Sequence, residues 1–513
     1  MELHNENPFK VKSLSNAAFR ISKSGIDLKS LPLNEIESIE GIGKGIAGKV
    51  IEFREKGITE ELKKLLEKTP KGVVEMMDVK GIGPKKVALL WKELGIEGVG
   101  ELLYACHENR LLALKGFGEK TQAEVRKNIE FKMKHAGSFH YAAVEPIVPD
   151  LLERIRKETN EKEVQVTGEF RRKLEVITHL EFLVKSKTDQ HRSWEENGLK
   201  CSYRSAQPEQ FALELIRTSC PADFFSALGS LQPGSSEEII FRNAGLNWIE
   251  PECREFPSMI SGSKKGAVSE LISWKDLKGC LHNHSTWSDG LNTLEEMARA
   301  CQKEGLEYFG ICDHSRSAGY ANGLSIERVA QQASEIDALN KELHPFRIFK
   351  GIESDILGDG SLDYPNEVLK NFEIVVASVH QNLKMEEKKA TERILKAVEN
   401  PYTTILGHPT GRLLLSRPGY PLDHKKVIDA CAANGVAIEL NAHPWRLDID
   451  WRWIPYCLEK GVLISINPDA HETGGILDMQ YGINVARKGG LTAQDCLNAK
   501  DLNELIHWLK TRK

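Results

Sequence analysis

Long apolar runs are missing from this 513-residue chain: no stretch approaches the roughly 18 residues needed to cross a bilayer. The first residues, MELHNENPFK, hold no apolar block of the kind a secretory signal requires. Both absences point to a cytoplasmic protein. The chain has 10 cysteines, but none is spaced CxxC, so neither a zinc finger nor a disulfide framework is indicated. Net charge is small, at −5, which discourages a uniformly nucleic-acid-coating protein. The charge is uneven, however. Residues 1–140 hold 24 Lys and Arg against 20 Asp and Glu, a balance of +4, which leaves −9 for the remainder. With 41% hydrophobic residues the chain can bury several cores, and its length suggests about three domains.

What is present in abundance is histidine at the ends of apolar runs. The stretch GCLHNHSTWSD places His282 and His284 two residues apart, on one side of a short strand, with Asp289 just beyond. Five further runs end in the same residue types: YFGICDH at His314, FRIFKGIE at Glu353, FEIVVASVH at His380, TTILGH at His408, and VLISINPDAH at Asp469 and His471. One such histidine is unremarkable. Recurrence roughly every 25 to 40 residues matches successive βα units, whose strand ends converge on one face of a barrel. Convergence there makes a multi-metal site. Mixed imidazole and carboxylate donors without thiolate suit divalent ions, Mn²⁺ or Zn²⁺ or Fe²⁺, in a catalytic rather than a structural role. Closely spaced ions of that kind clamp a phosphoester and promote its hydrolysis.

A second repeat lies near the N-terminus. GIGKG, GIGPK and GFGEK each sit between helical stretches, as helix-hairpin-helix units do. Glycines at 41, 43 and 45, at 81 and 83, and at 116 and 118 allow tight turns and close backbone approach. N–H groups at the start of each second helix can hold a phosphate oxygen, with Lys44, Lys85, Lys86 or Lys120 nearby. The candidate DNA contacts are therefore Gly41, Gly43, Lys44, Gly45, Gly81, Gly83, Lys85, Lys86, Gly116, Gly118 and Lys120. They would grip the backbone without reading sequence.

The series LHNHSTWSDG, CDHS, GIESDI, SVHQ, GHPTGR and NPDAH resembles the polymerase-and-histidinol-phosphatase (PHP) family, and in particular the PHP domain fused to bacterial family X DNA polymerases. ENPFKVKSLSNAAFR is similar to the opening of the lyase-like domain of those polymerases, which normally has another helix ahead of it; here Met1 falls almost on the motif. The resemblance implies a helix-hairpin-helix all-α region at 1–140, a polymerase palm and thumb of mixed α and β structure at 141–260, and a distorted seven-stranded (βα) barrel at 271–513. Pro257–Val268, rich in Gly, Ser and Lys, is expected to link the last two. It also implies that His282, His284, Asp289, His314, Glu353, His380, His408, Asp469 and His471 are metal ligands, with Glu353 bridging.

The polymerase part departs from the family pattern. VTGEFRRKLEVITHLEFLV matches the family motif in shape, yet His179, Glu181 and Ser202 stand where three metal-binding aspartates are expected. Glu169 replaces the serine of the glycine-serine turn, and TSCPADFF replaces the nucleotide-contact motif. This implies a degenerate polymerase site. In the barrel, Asp289, Glu353 and Arg412 are the expected catalytic residues, with Arg412 and Arg417 either meeting phosphate or forming surface ion pairs. Asn441 and Arg446 fall at a strand end and can line the pocket, whereas His443 is taken as lying outside the ligand set.

The expected function is a metal-dependent 3′–5′ DNA exonuclease in repair, with cleavage at abasic sites a further possibility. A family X polymerase that still extends primers, a PHP-type small-molecule phosphatase and a DNA-binding scaffold with structural metals are the competing readings.

Overall fold

The computed structural model describes residues 1–24, 31, 33–39, 42–133, 137–263 and 271–512. The chain forms two compact units. Met1–Cys106 with Leu114–Ile129 make the first, and His107–Ala113 with Glu130–Lys513 make the second.

The first unit is helical. Each glycine turn in it shows one physical pattern: the central apolar residue, Ile42, Ile82 or Phe117, is buried, while the flanking glycines among the described residues face solvent. The apolar residue anchors the turn and leaves the backbone on either side uncovered. Gly43 and Gly83 cap the helices Lys44–Lys56 and Pro84–Leu94 in extended conformation. Gly81 and Gly116 have φ of 97° and 93°, where a side chain is strained. Lys86 lies over the Phe117 ring, 5.1 Å from its centre, and Lys44, Lys85 and Lys120 are exposed. Gly41 lies outside the described residues.

Besides a two-stranded ribbon of Phe139–His140 with Val176–Ile177, the second unit contains two larger sheets among the described residues. The smaller has four strands: β1 Val164–Thr167, β2 His179–Lys185, β3 His191–Glu196 and β4 Leu199–Ala206, ordered β1-β2-β4-β3. The larger has seven parallel strands in sequence order: β5 Gly279–Cys280, β6 Tyr308–Ile311, β7 Arg347–Asp355, β8 Ile374–Ser378, β9 Ile405–Leu406, β10 Ala437–Asn441 and β11 Ile464–Asn467. Parallel pairing demands crossovers, and helices such as Leu294–Lys303 and Ile326–Glu342 supply them. Their starts are fixed by a Thr293–Glu296 capping box and by Ser325. Asn283 pairs with Ala470 just past the outermost strands, so the sheet curls into a nearly closed barrel.

Strand alternation divides the barrel residues in two. Phe309, Ile348, Ile352, Val375 and Ile438 pack outward against the helices, while Tyr308, Phe349, Ile374, Val376 and Ala437 fill the interior with Leu505 of the C-terminal helix. Inward positions farther along the strands are polar: Glu353, Asp355, Glu439, Asn441 and Asn467 are all buried. The interior is thus apolar at one end and ionisable at the other.

The division into units differs from the sequence expectation, which separated 141–260 from 271–513. Polar contacts through the helix Met479–Lys488 join the parts that carry the two sheets: Arg487 to Glu252 at 2.7 Å, Lys173 to Asn484 at 3.0 Å, and fully buried Lys488 to Glu255 at 3.4 Å. The stretch read as linker contributes the helix Ser258–Ser263, and 264–270 lies outside the described residues.

His140 makes this junction pH-sensitive. Its ring stacks on Trp445, donates to the Leu414 carbonyl at 3.1 Å, and is pushed by burial down to about 4. The unfolded chain binds a proton near pH 6.5 that the folded chain refuses, so stability is lost as pH falls from 6.5 towards 4. The full contribution is of order 3 kcal/mol. In chemical denaturation, the stability advantage of wild type over His140→Phe should shrink by about that amount across this window; a constant difference would contradict the buried neutral imidazole.

Candidate metal centre

All nine predicted ligands come together at the polar end of the barrel. Glu353 lies within β7, and the others sit a few residues past their strands, so parallel alignment brings them to one face. Three groups of donor atoms each lie within 4.8 Å of one another: His282, His284 and Asp469; His314, Glu353 and His380; and His284, Asp289, His314 and His471. His408 joins the second group, its Nε2 lying 3.0 Å from Glu353. Asp469 sits in the left-handed region, at φ 54°, and its carboxylate meets His284 Nε2 at 3.0 Å and Asn441 Nδ2 at 3.0 Å.

Five imidazoles surround the Glu353 carboxylate, those of His314, His408, His380, His282 and His284, at 2.9 to 3.7 Å. Burial pushes this carboxyl up, and His380, His282 and His314 overcome that effect, holding it well below the ordinary carboxylate range. Asp289 and Asp469 are likewise held well below theirs despite burial, the first by His314 and His471, the second by His282 and His284. The donors are therefore anionic and available.

The fit to metal ions rests on unsatisfied atoms. His282 Nε2, His284 Nδ1, Asp289 Oδ2, both ring nitrogens of His314, Glu353 Oε2 and His471 Nε2 are buried without a hydrogen-bond partner among the described residues. An orphaned buried polar atom costs about 1–3 kcal/mol. Seven in one place are sustained together when cations satisfy them.

The sequence reading missed the groups that aim these donors. Glu439 on β10 accepts from His282 Nδ1 at 2.7 Å, from Asn467 Nδ2 at 3.0 Å and from the His408 backbone N–H at 2.7 Å. Asp355 accepts from His380 Nδ1 at 2.5 Å and from the Ser317 hydroxyl at 2.6 Å. Both carboxylates lie two residues from an inward-facing polar residue on their own strand. That period-two spacing was a usable signal.

Arg412 departs from its expected role. Its guanidinium donates to the carbonyls of Arg446 and Leu447 and to Asp450, so it braces a loop instead of facing the donors. Arg417 donates to the Gly411 carbonyl at 2.8 Å. The arginine beside the cluster is Arg446, whose Nε lies 3.8 Å from Asp469. Asn441 donates to Asp469 at 3.0 Å, and His443 lies outside all three groups.

The smaller sheet holds no comparable cluster among the described residues. His179 Nε2 and the Ser202 hydroxyl are 2.9 Å apart across β2 and β4. The Glu181 carboxylate covers Gly168, where an added Cβ would lie 2.2 Å from it. Glu169 is occupied by the Thr178 and His179 backbone N–H groups, at 2.6 and 3.1 Å. Arg171 pairs with Glu237, and Arg172 with Glu255 at 3.0 Å.

Comparison with known proteins gives the same outline. A helix-hairpin-helix domain model matches residues 1–58, a SAM-like helix-hairpin-helix tandem 73–126, and a PHP domain 281–443. The DNA polymerase/3′-5′ exonuclease PolX of Bacillus subtilis is 33% identical over 99% of this chain and 97% of its own length. Probable phosphatases match less than half of the chain: one from Thermoanaerobacter sp. is 28% identical over 45% of this chain and 94% of its own length. Another, from Acetivibrio thermocellus, is 32% identical over 37% of this chain and 78% of its own length.

If Glu439 fixes the His282 ring, Glu439→Gln should lower metal affinity about 10- to 100-fold. Competition with a chromophoric chelator measures this, with circular dichroism as the control for folding. Unchanged affinity would mean that the ring is held in place without this carboxylate.

Proposed function

Because the chain belongs to the family of the DNA polymerase/3′-5′ exonuclease PolX, family X polymerases that carry a PHP domain, we propose that its barrel removes nucleotides from DNA 3′ ends in repair while its polymerase site is inactive. The chain is a metal-dependent phosphoesterase with helix-hairpin-helix domains. The observation that carries the exonuclease reading is the complete, buried, charge-matched donor set centred on Glu353, in the same chain as helical turns that leave their backbone exposed.

When bound, divalent ions, Mn²⁺ or Zn²⁺ or Fe²⁺, supply positive charge to a phosphodiester and acidify water. Glu439 and Asp355 hold the imidazoles of His282 and His380 in the orientation that presents Nε2. Arg446, beside Asp469, is placed to hold a phosphate oxygen, the role first expected of Arg412. The glycine turns of the first unit would hold the DNA backbone without sequence preference. Such an enzyme would act in the cytoplasm.

Two features support loss of nucleotide addition. His179, Glu181 and Ser202 offer one carboxylate where a two-metal cage needs three, and that carboxylate is folded over Gly168. Arg171 and Arg172 are paired inside the protein. A second reading, a small-molecule phosphatase, draws on the relatives that match less than half of the chain.

End-labelled single-stranded, recessed and abasic DNA with Mn²⁺, with and without dNTPs, separates these readings. Label release from 3′ ends without extension is expected. Extension that survives removal of His282 and His284 would overturn the inactive-polymerase reading, and turnover of phosphorylated metabolites but not DNA would favour the phosphatase. Glu353→Ala should abolish cleavage and reduce bound metal while DNA binding persists; full metal and full cleavage in that variant would refute the shared centre.

The turns can be tested separately. Gly83 has φ −107° and no atom within 4 Å of an added Cβ, so a bulky residue fits the fold there. Gly83→Leu should weaken DNA binding by obstructing phosphate approach, and binding should fall steeply with salt. Unchanged affinity would remove this turn from the DNA contact.

A further inference from the structure

The segment His107–Ala113 belongs to the second unit although the residues on either side of it belong to the first. Three of its side chains reach the metal centre's surroundings. The Glu108 carboxylate is 4% exposed and lies 2.6 Å from Arg110 Nε and 3.7 Å from Arg446. The Arg110 guanidinium covers the Tyr320 ring, 4.7 Å from its centre, and Tyr320 in turn lies beside His314. Asn109 donates to the Asp289 backbone carbonyl at 3.4 Å.

A buried carboxylate here is unexpected on electrostatic grounds, because the neighbouring cluster already holds Asp289, Glu353 and Asp469. Burial and Asp469 both push the Glu108 carboxyl up, yet Arg110, His471 and Arg446 hold it below its ordinary range. The surroundings therefore favour an anion at this point, additional to the metal-binding carboxylates. The Tyr320 hydroxyl is also buried and has no partner among the described residues, so the pocket carries an uncommitted polar atom beside its two guanidinium groups.

We propose that Arg110 and Arg446 form a phosphate site next to the metal centre, that Glu108 occupies it in this conformation, and that a phosphate of the DNA strand replaces the Glu108 carboxylate during use. The inference rests on the exonuclease reading of the barrel and adds to it a built-in competitor for substrate. A phosphate has more oxygens than a carboxylate and can meet both guanidinium forks, which favours exchange once DNA is present. Glu108 thereby screens the centre against weakly bound anions. Arg110, which lies far from the barrel in sequence, becomes a substrate-holding residue.

The test uses the full chain and a 5′-fluorescein-labelled trinucleotide, with anisotropy read in EDTA so that no hydrolysis intervenes. Glu108→Gln keeps the shape and removes the competing charge; it should tighten binding about tenfold, the worth of one charge-assisted hydrogen bond. Arg110→Gln should weaken binding, and combining the two should cancel the gain. With Mn²⁺ and DNA, Glu108→Gln should lower KM more than it changes kcat. Equal or weaker binding by Glu108→Gln, or binding indifferent to Arg110→Gln, overturns the proposal, and lower kcat at unchanged KM would make Glu108 a positioning residue for Arg446. If Glu108→Gln fails to fold, Arg110→Gln alone decides, since unchanged binding there refutes the site. Failure of the exonuclease reading looks different: wild type would hydrolyse neither DNA nor bis(4-nitrophenyl) phosphate, while the EDTA measurement would still report on the anion site.

Discussion

One buried carboxylate sets the terms for the second unit. Glu353 is 1% exposed, and a carboxylate removed from water to that extent is tolerated only when opposite charge or directed N–H groups replace its hydration. Five imidazoles do so, from four separate stretches of the chain. Bringing them within about a hydrogen-bond length of one residue requires strand ends that converge. A parallel barrel supplies that convergence because all its strands run the same way. Fold and site are in this sense one requirement: the apolar interior near Tyr308 and Phe349 closes the barrel, and the closed barrel aims the donors.

The same logic extends outward by one layer. An imidazole that presents Nε2 inward must dispose of Nδ1, and Glu439 and Asp355 accept from it. Those carboxylates are in turn held by Asn467, Ser317 and the His408 backbone. Charge therefore alternates outward from the centre. The Arg446 and Glu108 pair continues the alternation towards the mouth, where a substrate phosphate would have to enter it.

Much of this could be read from the chain alone, for a physical reason. Histidine and acidic residues after apolar runs are a one-dimensional signal, because strand ends are local and the barrel repeats them; the clustering of all nine residues was legible in this way. The bracing residues were less visible. Glu439 and Asp355 lie inside strands, where a polar residue reads as an ordinary alternation, and only their spacing of two from Asn441 and Glu353 betrays an inward direction. Arg412 was chosen over Arg446 on proximity to His408 in sequence, but the turn after β9 directs the Arg412 guanidinium to the carbonyls of Arg446 and Leu447. Glu108 carried no pattern at all. Its role depends on a tertiary contact that no local periodicity encodes.

The smaller sheet is where the proposed loss of nucleotide addition has its physical basis. A two-metal polymerase site must keep carboxylates close together and unpaired, which destabilises a fold through like-charge repulsion. Here the positions are filled by groups that satisfy one another: His179 with Ser202, Glu169 with the backbone of Thr178 and His179, and Arg171 and Arg172 with Glu237 and Glu255. Glu255 also receives buried Lys488 from the barrel side, and Glu252 receives Arg487. Glu252 and Glu255 thus join the part that carries the smaller sheet to the part that carries the barrel. If nucleotide addition is lost as proposed, restoring three aspartates would introduce that repulsion without freeing Arg171 and Arg172 from Glu237 and Glu255.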